Sequence, residues 1–385
     1  MRITRVDTVP LDLRLKEPFI IANVAMRDMQ FVLVRLETDE GILGWGEAIP
    51  AWEVTGETRG SVEACVRLFT DAGLLEYSLL GKEIGSLDAV REVMDAIEPK
   101  TGLRLVYGNP SAIAAIEQAM LDACAKRAGL PLYRMLGAEN RPVEYTRNIS
   151  ILGVEETLAR VADGLEKGLR IIRLKLGRPG AGGLPGYRRD VEVVRGARRL
   201  IEESRRGCLL IADANQGFVT VDNAVEFCRA VEGKLDWLES PTAAGDLHAF
   251  RRIKERCSVP LMADEAVHGY ESALTLLELG GIDYINIKLM KTGGLLRALD
   301  LYDLAAERGV RCQVGSMIES VYGSAMGLCA ALARPGIVST DLNSFELIAD
   351  NYASGIGIVE GRLRLGEGAG CGASFDEAAL PRARG

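Results

Sequence analysis

The chain has 385 residues, 48% hydrophobic and 26% charged, with 46 Lys and Arg against 54 Asp and Glu for a formal net charge of −8. That length suits a barrel-sized domain with a second domain attached, and the acidic balance without a basic tract argues against nucleic acid as a partner. No apolar run of about 18 residues is present to span a bilayer, the N-terminus alternates like a strand rather than forming a signal core, and the eight cysteines include no CxxC pair, which together point to a cytoplasmic protein with reduced thiols.

Residues 3–13, 30–38 and 42–49 alternate like strands, and the turn Asp39-Glu40-Gly41 joins the last two as a hairpin. Helical patterns follow at 58–73, 86–98 and 110–128. Pro110 and Ser111 open the last of these, and Gly129 with Pro131 ends it. From about 142 the rhythm changes to alternating strand and helix, with strands expected at 143–150, 171–176, 208–213, 235–239, 260–264, 283–288, 311–315 and 337–342. The intervening segments, such as Val154–Gly168 and Gly294–Gly309, carry apolar residues at three- and four-residue intervals and end in glycine. Residues 346–385 are glycine-rich and show no helical repeat before the last few residues. The expected fold is therefore α/β: an α+β capping domain over 1–130, a barrel over 131–345 that lacks its final helix, and a C-terminal segment over 346–385 that returns to the cap. The insert at 177–186 reads equally as a substrate loop and as a tolerated surface insertion.

Charged residues recur where apolar runs end. Lys175, Asp213, Glu239, Asp264 and Lys288 close successive runs, and from Asp213 the intervals are 26, 25 and 24 residues. That is about the length of one strand, one helix and their loops. In a parallel barrel such residues converge on one rim, where barrel enzymes do chemistry. Three carboxylates crowded on adjacent strands repel one another, and a divalent cation relieves that. Only two histidines, His248 and His268, are present, so an all-oxygen site is expected, which favours Mg²⁺ with Mn²⁺ as a substitute. His268 follows a carboxylate strand but reads better as a surface residue.

Lys175 and Lys288 lie four strands apart in an eight-stranded barrel, so their ammonium groups approach from opposite sides with the carboxylates between them. A carboxylate substrate held there offers its α-hydrogen to one lysine and its opposite face to the other. The α-proton of a carboxylate is weakly acidic, and positive charge on the carboxylate oxygens stabilises the resulting enediolate. A lysine base must also lose its proton, which burial and neighbouring positive charge promote; Arg173, on the same strand face as Lys175, is one source. Glu265 is placed to orient either lysine.

These residues resemble the enolase superfamily, in particular its muconate-lactonizing subgroup. The resemblance rests on Arg-Leu-Lys at 173–175, Asp-Ala-Asn at 213–215, Leu-Glu-Ser-Pro at 238–241, Ala-Asp-Glu at 263–265 and NIKLMKTGG at 286–294. It extends through GWGEA at 44–48, the segment 109–137 and GSMIES at 315–320. It implies a modified TIM barrel, (β/α)7β, beneath an N-terminal α+β capping domain. It further implies that Lys175 and Lys288 are the acid/base pair, and that Asp213, Glu239 and Asp264 hold Mg²⁺ with Asn215 and Glu265 supporting them. Arg173 replaces the first lysine of the K-x-K motif; it keeps the charge, can grip a substrate carboxylate and cannot act as a base.

Residues 54–62 look like the cap loop of dipeptide epimerases, and 17–28 occupies the other specificity loop, where Ile20, Val24 and Trp52 are expected to line the substrate site. Those epimerases usually carry Asp-x-Asp at the end of strand eight; here it is Asp341-Leu342-Asn343. The loss of one charge weakens ammonium recognition and admits an acylated nitrogen. The resemblance thus implies epimerisation of a dipeptide or related amino-acid derivative. The alternatives are muconate cycloisomerase, N-acylamino acid racemase or o-succinylbenzoate synthase activity on the same scaffold. The implied partner is a small-molecule carboxylate, and a homo-oligomer is compatible with this barrel type although no stretch identifies an interface.

Overall fold

A computed structural model describes residues 1–70, 78–97, 108–178 and 187–380. Most of the insert at 177–186 lies outside the described residues. The chain opens with an antiparallel sheet of β1 (Ile3–Ile20), β2 (Ala25–Thr38) and β3 (Leu43–Ala48), in that order. The first hairpin is longer than the alternation predicts. Its outer part, 14–20, carries charges, Pro18 and a break in register between Arg14 and Phe19, which together obscure the period-two signal.

Two helices, α1 (Arg59–Leu68) and α2 (Leu87–Ile97), precede α3 (Pro110–Ala128), whose predicted bounds hold, with Gly129 ending it in the left-handed region at φ 66°. Side chains are buried along α3 from Pro110 to Ala125, because the helix lies between the sheet and the barrel. The sequence Gly44-Trp45-Gly46 allows this. A Cβ on Gly46 would fall 1.9 Å from Ala115 O, and one on Gly44 would fall 2.0 Å from Ala119 O. After the short α4 (Leu132–Met135), β4 (Val143–Glu144) leaves the barrel to pair with the C-terminal segment, so the strand predicted at 143–150 is two strands.

The barrel sheet contains β5 (Arg147–Ile149), β6 (Ile171–Lys175), β7 (Leu209–Asp213), β8 (Trp237–Glu239), β9 (Leu261–Ala263), β10 (Tyr284–Ile287) and β11 (Arg311–Val314). They run parallel in sequence order. The helices between them are α5 (Val154–Glu166), α6 (Tyr187–Ser204), α7 (Val221–Ala230), α8 (His248–Lys254), α9 (Tyr270–Leu279), α10 (Leu289–Thr292) and α11 (Leu295–Glu307), and α12 (Val321–Ala333) follows β11. The eighth strand, expected over 337–342, is reduced to Thr340, which bridges Tyr145 on one side and Val314 on the other and so closes the ring. The result is a modified (β/α)7β barrel with an N-terminal cap.

Beyond Thr340 the described chain has 3₁₀ turns and short strands in place of a final barrel helix. Phe375 packs edge-on against Trp45 at 5.0 Å, and the Cys371 N–H donates to Asp122 on α3. All eight cysteines are free thiols. Among the described residues no helix is long and apolar enough to cross a membrane.

Candidate active site

Each barrel strand places alternate residues on one face, so Ile171, Arg173 and Lys175 share a face of β6, as do Ile211 and Asp213 on β7 and Trp237 and Glu239 on β8. The first residue of each set packs at the floor, in a cluster with Met262 and Tyr284. The later ones form a charged layer at the carboxyl ends. Above it, under the β1–β2 hairpin, lies a cleft of about 830 Å³ whose wall includes Lys175, Lys288, Asn215, Glu265 and Asp341. Lys175 and Lys288 thus reach one cleft from β6 and from the end of β10, with β7, β8 and β9 between them.

The carboxylates sit among cations. Asp213 meets Lys175 and Arg173, each at 2.6 Å; Glu239 meets Arg173 at 2.5 Å; Asp264 meets Lys288 at 2.7 Å and Lys291 at 2.6 Å. Although burial opposes it, Lys175 and Arg173 hold the Asp213 carboxyl below the usual carboxylate range, and Lys288 and Lys291 do the same for Asp264. Burial, joined by the Asp213 and Asp264 charges, pushes Glu239 up to about 8 against the pull of Arg173. Its Oε2 is buried and has no hydrogen-bond partner. Around Lys288 the positive charge of Arg173 is set against two carboxylates. Burial favours its neutral amine, but Asp264 and Glu265 outweigh burial and hold the ammonium above the ordinary lysine value.

Among the described residues no three acidic, thiol or imidazole side chains enclose a point as a bound metal would require, since the cationic side chains hold the carboxylate oxygens instead. The donor set nevertheless fits a hard divalent cation. It offers buried carboxylate oxygens from three adjacent strands, one of them unpartnered on a carboxyl that burial already disfavours as an anion.

Asn215 and Glu265 are where the sequence suggests, beside the carboxylates. The Asn215 N–H donates to Asp213 Oδ1 at 2.8 Å and its Nδ2 to Glu265 Oε1 at 3.1 Å. Val24, Trp52 and Asp341 line the cleft, Trp52 being 68% exposed at its mouth. Three expected substrate contacts lie elsewhere. Arg173 is fully buried below the cleft wall, where it joins Asp213, Glu239 and Asp341. Its neighbours come from distant parts of the chain, which its place in the K-x-K motif, the ground for expecting a substrate contact, does not reveal. Ile20 is not part of the cleft wall; its neighbours Phe19 and Ile21 are, as strand alternation requires. Ile20 instead anchors the hairpin by its backbone, donating to Ser150 Oγ at 2.7 Å and accepting from the Ile151 N–H at 2.9 Å. Asn343 turns to Glu346 at 3.0 Å and borders a separate hollow of about 310 Å³.

The strand-end pattern does not reach Lys291, Asn286 and Asn148, which complete the charged layer. Lys291 is buried one helical turn after Lys288, so the spacing in NIKLMK was the available signal. Asn286 donates to Glu239 Oε1 at 2.8 Å, and Asn148 donates to Asp341. Backbone strain gathers here too: Asn215, Gln216, Ser240 and Ile318 have φ of 39°, 69°, 42° and 73°.

Residues 3–137 match the mandelate racemase / muconate lactonizing enzyme N-terminal domain, and residues 156–379 match the enolase C-terminal domain-like family. The chain is 31% identical to an N-succinyl-L-Arg/Lys racemase of Bacillus cereus over 89% of its length and 87% of that protein's. It is 31% identical to an L-Ala-D/L-Glu epimerase of Bacillus subtilis over 92% of both. The crystal structure of a Cytophaga hutchinsonii dipeptide epimerase complexed with Mg and D-Ala-L-Val superposes with a TM-score of 0.87 at 27% identity, covering 99% of this chain and 98% of that one.

Proposed function

The chain belongs to the mandelate racemase and muconate lactonizing enzyme family of the enolase superfamily, and from that we propose that it is an isomerase that removes and returns the proton α to a carboxylate, epimerising a dipeptide or a related amino-acid derivative. The observation that carries this reading is the meeting of Lys175 and Lys288 in one cleft, with the carboxylate arc on the strands between them. Racemase and epimerase relatives spanning most of the chain, and neighbours solved with Mg and dipeptides, support it.

In this reading Asp213, Glu239 and Asp264 would hold Mg²⁺, with Arg173, Asn286 and Lys291 fixing their side chains. The cation, when bound, would supply positive charge for the substrate carboxylate as the α-carbon loses its proton. One lysine, as the neutral amine, takes the α-proton. The other, as ammonium, gives a proton to the opposite face of the same carbon, and the configuration inverts. Free thiols suit a cytoplasmic setting.

The Asp341 carboxylate favours one variant of this reading. It lines the cleft but is already engaged by Arg173 at 2.7 Å and by Asn148, so its charge is partly neutralised before any substrate ammonium arrives. An N-acylated amino acid, whose nitrogen carries no charge, suits that arrangement. Incubation with Mg²⁺ in D₂O against parallel libraries of dipeptides and N-acylamino acids is expected to give α-deuterium incorporation and inversion, with the N-acyl arm the stronger. Absence of exchange in both libraries would contradict the function, and stronger turnover of free-amine dipeptides would contradict the variant.

A further inference from the structure

We propose that Asn23, at the tip of the β1–β2 hairpin, is a positioning residue that ties closure of the cap to the placement of the Asp213 and Glu265 carboxylates, acting through Asn215. Asn23 Nδ2 donates to the Asn215 backbone oxygen at 2.9 Å. Asn215 holds Asp213 through its N–H and Glu265 through its side chain, so one residue receives the cap and grips two carboxylates. Asp213 in turn carries the ion pair to Lys175.

The contact is close at the backbone level as well. A Cβ on Gly217 would fall 2.1 Å from Gly177 O and 2.8 Å from the Ala22 Cβ, so the hairpin tip rests on the loops after β6 and β7 with no side chain between. The loop it presses on is strained. Asn215 and Gln216 are left-handed, and Val219, a β-branched residue, sits at φ 64°. Such conformations persist only where their surroundings over-determine them, and the Asn23 hydrogen bond is one of the surroundings. Neither asparagine needs to touch the reacting carbon for this role. The tip covers the cleft, and covering it sets the loop that fixes the arc.

Hydrogen–deuterium exchange by mass spectrometry on the full chain tests this, comparing wild type with Asn23→Ala and Asn23→Asp. The aspartate keeps the shape but lacks the donor and faces a carbonyl oxygen. Both variants are expected to raise deuterium uptake severalfold in peptides covering 20–25 and also in those covering 214–219, and to lower kcat by about three- to tenfold with a smaller change in KM. Uptake raised only over 20–25, or Asn23→Asp behaving as wild type, would overturn the proposal. The kinetic arm rests on the proton-transfer reading, whereas the exchange arm decides the coupling even if no substrate is turned over.

Discussion

Trp237 and Glu239 lie two residues apart on β8 and share a face, yet the indole stacks on Tyr284 at 4.6 Å while the carboxylate meets Arg173 at 2.5 Å. The same division runs around the barrel, with Ile171, Ile211 and Met262 at the floor and Lys175, Asp213 and Asp264 at or just beyond the other strand ends. The floor buries apolar surface and contains no left-handed residue, while the rim buries charge and gathers strained backbone. Burial stabilises in one case and costs in the other, which is what is expected when one end of a barrel holds the fold together and the other does chemistry.

The comparison breaks most visibly at Arg173, which serves both ends. Arg173→Ala leaves Asp213, Glu239 and Asp341 buried without their shared cation, and is expected to cost about 3–5 kcal/mol of stability as well as turnover. Chemical denaturation beside an isotope-exchange assay would show both losses. Full stability in that variant would mean the rim carboxylates do not repel as argued. At the floor, Trp237→Ala is expected to cost a similar 3–5 kcal/mol with kcat little changed below the unfolding transition, because Trp237 packs in the floor cluster and is not part of the cleft wall.

The smallest effect is in pH. Glu239 is raised from its ordinary value to about 8, so the folded state binds more protons than the unfolded one between about pH 4.5 and 8. Its contribution therefore weakens the fold as pH rises through that window. Without divalent cation, the melting temperature of wild type relative to Glu239→Gln should decline from pH 5 to 8, and Mg²⁺ should flatten the decline. A relative melting temperature that climbs instead would contradict the assignment. Floor variants should keep the wild-type slope.

The sequence carried the rim well because its residues sit at a fixed place in a local repeat. Lys175, Asp213, Glu239, Asp264 and Lys288 each end an apolar run, and a run and its end are read within one element. Contacts that depend on which distant segments meet were not visible in that way. Arg173 gathers Asp213, Glu239 and Asp341, which lie 40, 66 and 168 residues further along the chain. The eighth strand narrows to bridges at Thr340, although Val338, Ser339 and Asp341 also hydrogen-bond to β11, because on its other side the chain meets only Glu144, Tyr145 and Thr146. Ile20 obeys the same local rule, since alternation from Phe19 points it to the other face of the ribbon.

The most direct test of two opposed lysines in one cleft is stereochemical. Once a substrate is identified, each configuration at its α-carbon is incubated in D₂O with Mg²⁺ and Lys175→Ala or Lys288→Ala. Both variants should lose inversion by at least about 10²-fold. Each should retain exchange on one configuration only, and the retained configuration should differ between the two. Exchange of both configurations by either variant, or loss of the same one from both, would contradict the arrangement of one lysine on each face.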